Sequence, residues 1–131
     1  MRIVLKGRPI TKKNHSRIIQ ARGRVMVIPS KQYMEYLADC RWQLNVLRLG
    51  EMKISSPINL RCVYYMPTRH RVDLVNLLEA TCDILVECGL LADDNSKIVA
   101  SHDGSRVGYD KDNPRVEIEI APAKEVDHDR T

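Results

Sequence analysis

Arg71-Val-Asp-Leu-Val-Asn-Leu-Leu-Glu-Ala-Thr-Cys-Asp83, followed by Leu91-Ala-Asp-Asp-Asn95, is the stretch on which both fold and chemistry turn. Its apolar spacing predicts a helix from about Leu74 to Cys88, stopped at Gly89. With about 100° per residue, Asn76, Glu79, Asp83 and Glu87 fall within an arc of roughly 80°. Almost every other position from Val75 to Cys88 is apolar or small. The helix is therefore expected to be mostly buried, with an acidic exposed strip. Asp73 stands just before it, and the pair Asp93-Asp94 just after it. Like charges held together repel and raise each other's pKa. A divalent cation bound by oxygen ligands is the usual reason for such a gathering, Mg²⁺ above all, with Mn²⁺ as the alternative. Bland readings stand beside this one. Asp73 suits a helix N-cap, the Glu79/Asp83/Glu87 strip suits a solvated face, and Asp93-Asp94-Asn95 suits a turn.

Working outward, the pattern predicts one α/β domain with a mixed sheet of about five to six strands and two main helices. Arg2 to Lys6 reads as a strand, and Ser16 to Gln20 with Arg24 to Ile28 as a hairpin turning at Ala21-Arg-Gly23. Ser30 is a good N-cap for a helix reaching about Arg48, with Tyr33, Leu37, Cys40, Leu44 and Leu47 as its apolar stripe. Ile58 to Met66 alternates as a long strand. Lys97 to His102 and Arg115 to Ile120 read as two more, with a turn-rich loop between them. The domain is expected over residues 1–121, followed by a polar, flexible tail at 122–131.

Composition sets limits. The chain has 131 residues, 44% hydrophobic and 29% charged, which fits an ordinary globular domain. No apolar run approaches the ~20 residues a bilayer requires, and the N-terminus lacks a signal-peptide core. A cytoplasmic protein without a membrane partner is expected. Cys40, Cys62, Cys82 and Cys88 have no C-x-x-C spacing, so buried thiols are expected rather than zinc. Trp42 is expected to pack in the core. No P-loop, G-x-G-x-x-G, G-x-S-x-G or H-E-x-x-H occurs, and Asp110-x-Asp112 lacks the rest of an EF-hand.

Charge is distributed unevenly. No acid precedes Glu35, whereas the first 31 residues carry nine bases: Arg2, Lys6, Arg8, Lys12, Lys13, Arg17, Arg22, Arg24 and Lys31. The rest carries twelve bases and seventeen acids. A basic arm beside an acidic metal pocket is what phosphodiester hydrolysis in nucleic acid requires. Asp73 and Asp94 are the first candidates for metal ligands, Asp93 and Glu79 the next, and Asp83 the third. Arg69, His70 and Arg71 adjoin Asp73 and suit the scissile phosphate, although a loop histidine is more often inert than a general base. Lys12, Lys13, Arg17 and Arg24 suit backbone phosphates further out. The scarcity of aromatics favours duplex or branched DNA over single strands.

These residues carry a resemblance. Gly7-Arg-Pro-Ile-Thr-Lys-Lys-Asn14, Pro29-Ser-Lys31 with Tyr33, Asp73-Leu-x-Asn-Leu77, Asp83-x-Leu85 and Asp93-Asp94-x-x-x-Ile98 together resemble the RusA family of Holliday junction resolvases, common in prophages. The resemblance implies a small homodimer that binds four-way DNA junctions and cuts two symmetric strands with Mg²⁺ or a similar ion, in DNA recombination and repair. Asp73 and Asp94 match two family catalytic aspartates, Asp93 matches the acid beside the second, and Asn14 falls in the N-terminal basic motif. Two positions depart. Val75 stands where the family usually has a third aspartate, and Glu79 where it commonly has a lysine. Glu79 shares the Asn76 stripe, so it is a candidate to restore the lost carboxylate. The alternatives are a non-cleaving junction-binding protein of the same fold, or a basic module that binds an acidic protein partner.

Overall fold

The structure, a computed structural model, describes residues 1–12 and 17–124, with the backbone alone at 17–19 and 21. The chain forms β1 (Arg2–Lys6), β2 (Arg17–Ala21), β3 (Arg24–Ile28), α1 (Lys31–Val46), β4 (Ile58–Met66), α2 (Leu74–Glu87), β5 (Val99–Ser101), β6 (Arg106–Tyr109) and β7 (Arg115–Pro122). The expected class is observed: one α/β domain, a mixed sheet and two main helices.

β1, β7 and β4 run side by side as antiparallel neighbours, pairing Ile3 with Ile118 and Cys62 with Ile118. The other edge of β4 takes two short parallel strands end to end. β5 meets Ile58 and Asn59, and β6 meets Val63 to Met66. A parallel return needs a crossover of a dozen or more residues, and α2 supplies it between β4 and β5. β6 is a correction to the sequence reading, which placed a loop between Asp103 and Pro114. Four residues hemmed by Asp103-Gly104 and Asp110 to Pro114, with Val107 its one aliphatic side chain, carry too little period-two signal to register.

Alternation along the strands sends Ile3, Leu5, Leu60, Cys62, Tyr64, Met66, Val116, Ile118 and Ile120 to one buried face. Tyr33, Tyr36, Leu37, Cys40 and Leu44 of α1 and Leu77, Ala80, Cys82, Ile84 and Leu85 of α2 join the same core. Thr81 donates to the Leu77 carbonyl at 3.0 Å, so the buried Tyr64 hydroxyl, 2.6 Å from Thr81 Oγ1, donates to that oxygen. The cysteines are free as expected, and Cys40, Cys62 and Cys82 are buried. Burial pushes each of those three thiols up to about 12. The opposite sheet face is tied by ion pairs: Arg115 bonds Asp110 and Glu117 and lies 4.0 Å over the Tyr65 ring.

Two expectations on α1 need correction. Trp42 is 66% exposed, and Leu47 is exposed rather than part of the stripe. The turn of 100° per residue sets Trp42 on the side of α1 opposite the Tyr33–Leu37–Cys40–Leu44 seam, whereas Leu47 follows the last helical residue, Val46, as the C-cap. The hairpin β2–β3 forms a sheet of its own, turning at Arg22 (φ 51°) and Gly23 (φ 72°), with Val25, Met26 and Val27 exposed. Residues 125–131, most of the expected tail, lie outside the described residues, as do Lys13 and Asn14.

Candidate metal and nucleic-acid site

Asp73 is the N-cap of α2. Its Oδ1 accepts from the Val75 amide at 2.9 Å, one of the donors a helix start leaves without an intrahelical partner. The bland reading of Asp73 is therefore realised, and it fixes the carboxylate at the head of the acidic helix. The basic loop before it exposes Arg69, His70 and Arg71. Arg69 is held by stacking, its guanidinium 4.3 Å from the centre of the Tyr109 ring on β6.

Further along α2, Glu79 and Glu87 are exposed and Asp83 is half-buried. Val75, expected in a mostly buried helix, is 67% exposed, because it lies on the solvent side of the first turn. After Gly89 the chain doubles back. The Lys53 and Ile54 amides donate to the carbonyls of Gly89 and Leu90, each at 2.9 Å, and the Ala92 amide donates to Ile54 at 2.9 Å. This ties the following turn beside α2. Asp93 builds the turn itself, its two oxygens accepting from the Asp94 amide at 2.7 Å and the Asn95 side chain at 3.1 Å. Asp94 is exposed, and its charge reaches Asp83 and Cys82.

Asp83 reports the crowding. Partial burial raises its carboxyl above the ordinary range; Lys12 pulls it down, while Asp94, Glu79 and Glu87 push it further up. The Lys12 charge thus acts on the acidic strip from the loop after β1. Glu87 is also paired with Arg41 of α1. The donor set along the strip is carboxylate oxygen, the chemistry that suits Mg²⁺ or Mn²⁺. Among the described residues no three His, Cys, Asp or Glu side chains stand close enough to hold an ion together. The acids form a strip and not an assembled cage.

The sequence-derived candidates divide accordingly. The charges of Asp94 and Glu79 both act on Asp83, which sequence reasoning placed third because it lies about 10 Å along the helix from Asn76. The spacing of the strip was legible; the return of residues 91–95 beside it was not. Asp93 is engaged in its turn, and Asp73 in its cap. Arg24 lies on the separate hairpin, and the side chain of Arg17 lies outside the described residues, with Lys13 and Asn14. Arg69's aromatic partner on β6 was missed together with that strand.

Among curated proteins no match was found. The family model described as Endodeoxyribonuclease RusA matches residues 6–121. That span runs from Lys6, the last residue of β1, into β7 and takes in both basic loops, both helices, β2 to β6 and the 91–95 turn. The chain belongs to the RusA endodeoxyribonuclease family.

Proposed function

We propose that this chain resolves four-way DNA junctions, hydrolysing phosphodiester bonds as a cytoplasmic homodimer with Mg²⁺ or Mn²⁺, in DNA recombination and repair. The observation that carries the reading is that the charges of Asp94, Glu79 and Lys12 all act on Asp83 of the acidic helix within a RusA-family chain. Asp73 and Asp94 would hold the ion, with Asp93 and Glu79 as further oxygen donors. When bound, the ion supplies an activated water and charge stabilisation at the phosphoryl oxygens. The chain's own part is positional. Asp73 is fixed by its cap and Asp94 by the tied turn. Arg69 and Arg71 bind phosphate near the cut, while Lys12, Lys13, Asn14, Arg17 and Arg24 track the strand. Nicking of a synthetic four-way junction, measured with and without Mg²⁺, tests this. Nicking that needs the ion and prefers the junction to linear duplex is expected.

One observation favours a second reading, a junction-binding protein that does not cut. The position of the family's usual third aspartate is an exposed valine, Val75. Selective junction binding without cleavage in either ion would establish it.

A further inference from the structure

Between the loop after β1 and the loop before α2 lies a cavity of about 300 Å³. Among the described residues its polar lining is Arg8, Thr11, Thr68, His70 and Arg71, with no acid. Ile10 and Met66, both core residues, contribute to its wall. Thr11 is only 3% exposed, so this wall is built into the fold and not a chance meeting of surface chains. Several other arginines are paired: Arg2 with Glu117, Arg41 with Glu87, Arg61 with Glu119, and Arg115 with Asp110 and Glu117. Among the described residues, Arg8 and Arg71 have no carboxylate within ion-pair distance. Two such guanidiniums, an imidazole and two hydroxyls around one concave space form a seat for a phosphoryl group. The seat opens two residues from Asp73.

We infer that this cavity binds one backbone phosphodiester of the strand to be cut, with Arg8 and Arg71 as its paired clamps, and so sets the register of that strand against Asp73. The inference rests on the junction-binding reading above. Arg8, in the sequence only one of nine N-terminal bases, enters as a strand-positioning residue.

The test couples protein side chains to individual DNA phosphates. Junctions carrying a single neutral methylphosphonate at successive positions around the crossover are titrated with full-length protein, without divalent metal, by fluorescence anisotropy. Parent protein is expected to lose roughly tenfold in affinity at one position per cut strand, the size of one charge-assisted contact. Arg8→Ala and Arg71→Ala are each expected to lose about tenfold on unmodified junction, with no further loss at that position. Both residues are exposed, and circular dichroism checks the fold of each variant. If both variants remain as sensitive as the parent to every methylphosphonate, the assignment is overturned. Shifts of the His70 resonances on adding inorganic phosphate, without that coupling to DNA, make the cavity a free-anion site and overturn it too. A parent chain that binds no junction at all refutes the functional reading and this inference together; a parent that binds but shows no coupling refutes the inference alone.

Discussion

Asp73 has an observed role in the fold and a proposed one in the reaction, and a single substitution separates the two. Asparagine caps a helix as well as aspartate does, so Asp73→Asn keeps the bond to the Val75 amide while removing the charge. Its melting temperature should stay near the parent's, its junction binding should persist or tighten, and its cleavage should fall on the order of 10²–10³-fold. Asp94→Asn should behave alike, and loss of binding in a folded variant would count against both. Asp83 offers a pH test. Its folded pKa lies above the ordinary carboxylate value of 3.8, because burial and the Asp94, Glu79 and Glu87 charges outweigh Lys12. Its contribution to stability is therefore present below that value and lost as pH rises through the folded one. In metal-free buffer Asp83→Asn should melt above the parent at pH 7, with the gap closing as pH falls toward 4. Equal melting curves at pH 7 would mean the strip is not crowded. Glu79 tests the compensation idea. Glu79→Gln should cut metal-dependent cleavage severely and Glu79→Lys should do no better, whereas adding Val75→Asp to Glu79→Lys should recover activity. A parent-like rate in Glu79→Gln leaves Asp73, Asp93 and Asp94 as the working acids.

At the level of elements, the placement of Asp94 depends on a crossing of two loops. Gly89 has φ 83°, and a Cβ there would stand 2.1 Å from the Gly50 carbonyl oxygen. Left-handed backbone costs a substituted residue roughly 1–2 kcal/mol, and this clash adds to it. Gly89→Ala should therefore lower stability by more than Gly23→Ala, where φ is 72° but nothing lies within 4 Å of the added carbon. Because the Gly89, Leu90 and Ala92 backbone groups tie the turn that carries Asp94, Gly89→Ala should also reduce cleavage, while Gly23→Ala should not. Elements of this kind were legible where their physics is local. Ser30 caps α1 by accepting from the Tyr33 amide at 3.1 Å, Gly89 ends α2, and β4 keeps its alternation. What stayed hidden is decided by neighbours distant in the chain. β6 exists because β4 offers a parallel edge, and Asp83 gains importance only when the 91–95 turn folds back.

Across the whole molecule, the uneven charge written into the sequence survives folding, but it is not a simple division into basic and acidic faces. The Lys12 charge acts on Asp83 of the acidic strip, and the cavity of Arg8 and Arg71 extends to Val72, the residue before Asp73. Changing Lys12 and Lys13 to alanine should weaken binding across DNA sequences and flatten its salt dependence, by roughly 0.9 in log–log slope for each phosphate that the variant no longer neutralises. An unchanged slope would remove these lysines from the interface. Assembly is the larger question. A four-way junction has near two-fold symmetry, and its resolution takes two paired cuts, yet each chain carries one acidic strip. A two-fold dimer is the economical arrangement, and it turns the symmetry of the substrate into that of the enzyme. The folded chain leaves material for such an interface. Val25 and Val27 of β3 and Trp42 on α1 are each exposed over about two thirds of their surface, and a two-stranded hairpin on its own is marginal in water. The sheet edge is the weaker candidate, because the Gln43 amide already bonds both the N–H and the carbonyl of Lys6 on the outer side of β1. Light scattering at micromolar concentration should give twice the mass of the chain, and Val25→Ser with Val27→Ser or Trp42→Ser should lower it if those surfaces meet. A monomer at every concentration, with and without junction DNA, would require the two cuts to come from separate binding events, and cleavage should then yield singly nicked junctions that accumulate before any resolved product.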